Sequence, residues 1–137
     1  MIGIRDVQEG DLPESLKYLI SQIGYEAAMK LQEAFCGRRI HVPLGTDNEQ
    51  GGRQKFEAIA AVAGEDAALK MIGMYGGTYI EIPTCKQAIS KANVRFIMDL
   101  RRKGKSIDEM VEATRQSRRQ VLYYLQRGKA MKAANPL

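Results

Sequence analysis

Tryptophan is absent from this 137-residue chain, histidine occurs once, cysteine twice and proline four times. Two cysteines are too few for a disulfide scaffold; they read as reduced thiols, with a single disulfide as the less favoured alternative. One histidine beside two cysteines leaves little material for a structural zinc site, so no metal and no cofactor are expected. Long apolar runs are also missing. The longest, Ala58 to Ala63, falls far short of the ~18 residues of a membrane span. The first residues show no basic region followed by an apolar run, so no secretory signal and no membrane partner are expected. What remains is an ordinary globular balance, 45% hydrophobic and 27% charged, which excludes disordered and collagenous classes. The length suits one domain or two very small ones.

Charge is unevenly spread. Residues 1–85 carry 8 Lys/Arg against 12 Asp/Glu, whereas residues 86–137 carry 13 against 4, so net charges of −4 and +9 make up the total of +5. A basic half of this kind suggests a polyanionic partner, usually nucleic acid. A solvated basic tail is the bland alternative.

The first half contains a repeat. Gly24 to Pro43 and Gly64 to Pro83 align without a gap at an offset of 40 residues, and seven of twenty positions are identical: Gly24/Gly64, Ala27/Ala67, Ala28/Ala68, Lys30/Lys70, Gly37/Gly77, Ile40/Ile80 and Pro43/Pro83. Chance would supply about one or two. In each copy apolar residues at helical spacing lead to a glycine suited to a left-handed helix end. Alternation at Ile40/Val42 and at Ile80/Ile82 then predicts a short strand, which the proline ends. Helices are expected before each copy, over Leu12 to Gln22 and Arg53 to Val62. Strands this short need partners. They could pair within one chain, which we favour, or across a dimer.

The basic half reads as three helices. The first covers Ala88 to Arg102, with Ile89, Phe96, Ile97 and Leu100 on its apolar side, and Gly104 stops it. Ser106 with Glu109 three residues on is a capping box, opening a short helix through Ile107, Met110, Val111 and Thr114. After a turn at Arg115-Gln116, Ser117 caps a last helix running to about Arg127. Two short helices joined by a tight turn are the helix-turn-helix plan. Arg115 stands where many such turns use glycine for positive φ. On the last helix Val121, Tyr124 and Leu125 are expected inside. Arg118, Arg119, Leu122 and Tyr123 then lie outside near its start, where a recognition helix meets base edges. Gln120 would assist, and Ser117 with the free amides suits a phosphate. Arg101, Arg102, Lys103, Lys105, Arg115, Arg127 and Lys129 would add sequence-independent attraction. A plain three-helix bundle with a solvated basic face is the alternative.

Catalytic constellations are not expected. Glu65-Asp66 and Asp108-Glu109 fall at helix starts, where carboxylates favour the dipole. His41 has no evident nucleophile partner. Gly51-Gly52 and Gly76-Gly77 lack the flanking pattern of a phosphate loop.

The assembled features resemble the Mor (middle operon regulator) transcription activators of Mu-like phages. The likeness rests on the helix start Ile23 to Ala28, the strand motif GGTYIEIP from Gly76 to Pro83, and the helix-turn-helix from Lys91 to Arg127. It covers Leu12 to Arg127. The resemblance implies a non-enzymatic, homodimeric activator of a phage or prophage promoter, acting on double-stranded DNA in the bacterial cytoplasm at the nucleoid and recruiting RNA polymerase. The elements read above add up to a mainly α fold with a small β-ribbon and no other substantial sheet; the resemblance makes residues 1–84 a dimerisation-type region and residues 85–137 the DNA-binding domain. It also implies that the glycine pair and the strand approach DNA, which carries over to Gly76, Gly77, Thr78 and Tyr79. Glu81 departs from that pattern, since a carboxylate repels phosphates. Arg38, Arg39 and His41 of the first copy suit an anion better. A repressor or adaptor without polymerase contact, or an accessory protein of DNA recombination, would have the same sequence signals.

Overall fold

The computed structural model describes residues 2–47 and 51–134. Its chain is mainly α-helical with one small β-ribbon. Residues 12–85 form one compact unit, here the ribbon unit; residues 86–134 together with residues 2–11 form a second, the helical unit. The boundary falls one residue beyond the expected 84/85 division, and residues 2–11 cluster with the C-terminal helices.

The ribbon unit runs α1 (Glu14–Ile23), α2 (Tyr25–Phe35), β1 (Arg39–His41), α3 (Gly52–Ala63), α4 (Glu65–Tyr75) and β2 (Tyr79–Glu81). The two strands pair antiparallel within the one chain, Arg39 opposite Glu81, Ile40 opposite Ile80 and His41 opposite Tyr79. Backbone hydrogen bonds recur under the same 40-residue shift as the sequence. Gly37 N donates to Ile82 O (2.9 Å) as Gly77 N donates to Val42 O (2.8 Å), and Val42 N donates to Thr78 O as Ile82 N donates to Arg38 O, both at 2.9 Å. The glycines explain the shared turns. Gly24 and Gly64 break α1 from α2 and α3 from α4 at φ 92° and 96°, and Gly37 and Gly77 leave α2 and α4 at φ 73° and 84°. Such values are costly for any residue with a Cβ. Leu16, Met29, Leu31, Val42, Met71 and Ile82 make the buried core.

The helical unit consists of α5 (Lys86–Arg102), α6 (Ile107–Thr114) and α7 (Arg118–Ala134), with a short 3-10 turn at Ile4–Asp6 against α5. Val94, Ile97, Met110, Val121 and Tyr124 form its core. Two features depart from expectation. Phe96 is not on the buried side of α5 but 37% exposed. The last helix does not end near Arg127; it continues to Ala134. Gly128 does not terminate it because it serves as a crossing point: a Cβ there would lie 2.4 Å from the Met98 sulfur of α5. Packing overrides the helix-weakening tendency of an isolated glycine.

Candidate nucleic-acid interface

α6 starts with the capping box read from the sequence. Glu109 N donates to Ser106 Oγ, and Ser106 N donates to a Glu109 carboxylate oxygen, both at 3.1 Å. The Ser106 backbone N–H, with the Ser106 hydroxyl and Lys105 assisting, holds the Glu109 carboxyl below its usual range. α6 ends at Arg115 in the left-handed region, φ 56° and ψ 27°. This is the conformation that glycine adopts more readily. Thr114 Oγ1 donates to Met110 O at 2.8 Å and accepts from Gln116 N at 3.3 Å, tying the turn to the helix it leaves. Ser117 Oγ accepts from Gln120 N at 3.1 Å and so caps α7. α6 and α7 pack on each other, and both pack on α5.

The caps and the apolar side of α7 fix which residues are left outside. Val121 is fully buried and Tyr124 nearly so, whereas Arg118, Arg119, Leu122 and Tyr123 are exposed over the first two turns, Leu122 by 44% and Tyr123 by 50%. Ser117 is exposed beside them and Gln120 is half-buried. Arg118 is not free: its guanidinium donates to Asp108 Oδ1 of α6 at 3.1 Å. Arg119 has no ion-pair partner among the described residues. Lys103 and Lys105 are exposed but engaged, with Asp99 at 3.0 Å and Glu109 at 3.7 Å. The Lys103 hydrogen bond, helped by Arg102, draws the Asp99 carboxyl below its usual range. Arg127 stands apart from this surface, half-buried and donating to Ser90 Oγ of α5 at 2.8 Å.

The strand candidates lie in the ribbon unit. Ile40 and Ile80 face inward, so Arg39, His41, Tyr79 and Glu81 share the outer face by strand alternation. The Arg39 guanidinium sits 4.5 Å over the Tyr79 ring, and the His41 ring meets Tyr79 edge-on at 4.8 Å. Lys55 Nζ is 3.2 Å from His41 Nδ1. Arg38 is exposed next to this cluster. Gly76 and Gly77 have a local structural reason. A Cβ on Gly76 would fall 2.6 Å from Ile72 O, and Gly77 combines positive φ with the Leu44 side chain 2.9 Å away.

Some contributors were invisible in the sequence. Asp11 accepts from Arg95 and pairs with Lys91 at 3.5 Å, and the Arg95 hydrogen bond leads the effects holding its carboxyl low. No local spacing announces a partner some eighty residues away. Lys132 was also missed, although its place one turn after Lys129 was a usable signal. Among the described residues, no three His, Cys, Asp or Glu side chains converge as metal ligands, and no helix is long and apolar enough to cross a membrane.

Compared with known proteins, the chain matches no family model, no curated protein and no solved structure.

Proposed function

We propose that the chain is a sequence-specific DNA-binding transcription regulator, an activator at a phage or prophage promoter, with no enzymatic role. The observation carrying this reading is the exposed set Arg118, Arg119, Leu122 and Tyr123 on the first two turns of α7, beside the capped start at Ser117. An α-helix fits the major groove of B-DNA. Arginine can bond guanine bidentately there, while Leu122 and Tyr123 offer apolar contact to a thymine methyl or a sugar. Unpaired amides at the α7 start suit a phosphate. Arg118 must exchange its Asp108 partner for DNA, so Asp108 competes with the ligand.

The assembly we propose is a homodimer on palindromic half-sites, as two-fold binding requires. It needs no exchanged strand, because β1 and β2 already pair inside one chain. RNA polymerase is the partner this reading adds; a reporter carrying the selected site separates activation from repression.

Selection from a random duplex pool should return one defined motif. On that motif Arg118→Ala or Arg119→Ala should cost about 1–3 kcal/mol, and much less on random DNA. Recovery of no motif, or variants that keep full affinity and selectivity, would overturn the assignment of α7.

A further inference from the structure

A second concentration of positive charge lies further along α7. Met98, Arg101 and Arg102 of α5 and Lys129 and Lys132 of α7 line an open groove of about 530 Å³. All four cations are exposed, and among the described residues no carboxylate lines the groove. Arg102 is paired with Asp99 at 3.1 Å, whereas Arg101, Lys129 and Lys132 have no ion-pair partner among the described residues. This differs from the α6 side, where Lys103, Lys105 and Arg118 are each matched with an acid.

The close crossing at Gly128 brings the two cation pairs together. Without a Cβ at that position, α7 approaches the Met98 side chain, and the last turn of α5 faces Lys129 and Lys132. Helical geometry then relates the groove to the recognition residues. Lys129 follows Arg118 by eleven residues. That is about 16 Å along the axis and within about 20° of the same side. One flank of α7 therefore carries Arg118 at its start and the groove three turns later.

We propose that this groove is a second site for the phosphodiester backbone of duplex DNA, taken by the flank of the duplex whose bases meet the start of α7. The proposal rests on the DNA-binding reading. Four cations with a single internal counter-ion suit a repeating anion, and their release of counterions on binding would appear in the salt dependence.

The test uses the full chain and a random-sequence duplex about three helical turns long, titrated at several salt concentrations. Lys129→Ala with Lys132→Ala should lower the slope of log affinity against log salt by about 2, as loss of two phosphate contacts implies. Lys30→Ala with Lys70→Ala removes the same charge from exposed positions of the ribbon unit and should leave the slope unchanged. An unchanged slope in the Lys129/Lys132 variant overturns the groove while leaving the α7 assignment standing. An equal fall in both variants also overturns it, since net charge alone would then account for the effect. Failure of the unaltered protein to bind any duplex at low salt overturns both readings together. Alanine favours helix, and unchanged circular-dichroism melting of each variant shows that the slopes compare folded proteins.

Discussion

The two units reach stability by different routes. The ribbon unit repeats one arrangement of helix, helix and strand at a fixed offset, and its pairing closes on itself through backbone hydrogen bonds between β1 and β2. Its groups with displaced titration are neutral acids pushed upward by burial: the Cys85 thiol to about 11, and the Tyr75 hydroxyl, which Tyr18 raises a little further. The helical unit uses caps and ion pairs around a smaller core, and its displaced groups, Asp11, Asp99 and Glu109, are carboxylates held low by donors. Desolvation dominates one unit and charge-assisted hydrogen bonding the other. On the DNA-binding reading proposed above, the ribbon unit would act as scaffold and the cation-rich helical unit would present the contact surface.

The strongest test of this division is a pair of core truncations. Ile97→Ala in the helical unit and Met71→Ala in the ribbon unit should each cost about 2–5 kcal/mol, since both side chains are fully buried. Residue-resolved hydrogen exchange should show each loss confined to its own unit. Loosening spread evenly over both units would mean that they fold as one.

Smaller in size, but opposite in sign between the units, are the pH responses. A carboxyl with a lowered folded pKa contributes stability that is complete above its unfolded pKa and lost as pH falls through the folded value. The helical unit should therefore weaken below about pH 4. A thiol or phenol with a raised folded pKa contributes stability that is complete below its unfolded pKa and lost as pH rises toward the folded one. The ribbon unit should weaken between pH 9 and about 11 through Cys85. Ser106→Ala should cost about 1 kcal/mol at neutral pH and reduce the acid sensitivity only in part, because Glu109 loses the Ser106 hydroxyl but keeps the backbone N–H at position 106, which leads the effects on its carboxyl. Chemical-shift titration resolved by unit checks the signs; acid and alkali loosening the same unit would break the contrast.

The smallest expected effect is a gain. Arg115→Gly relieves a left-handed backbone worth about 1–2 kcal/mol, offset by about 0.4–1 kcal/mol of added freedom in the unfolded chain. Thermal unfolding should rise modestly while DNA affinity falls through the lost charge. A lower melting temperature would mean that the Arg115 side chain contributes more than its backbone costs.

Local chemistry was legible without coordinates. The capping box at Ser106/Glu109, the Ser117 cap, the glycines at positive φ, the strands near Ile40 and Ile80, and the need for positive φ at Arg115 all follow from interactions a few residues long. The alternation of Val121 and Tyr124 with Arg118, Arg119, Leu122 and Tyr123 likewise fixed which side of α7 is left outside, because helical period is a property of the segment. Tertiary structure decided the rest. It determined that β1 meets β2 in the same chain, that Gly128 is a crossing point, that Phe96 is exposed and Arg127 drawn onto Ser90, and that Asp11 reaches Arg95. It also gathered Arg101, Arg102, Lys129 and Lys132 around one groove. These outcomes depend on which elements pack together and on contacts between residues far apart in the chain, which propensity, capping and periodicity do not encode.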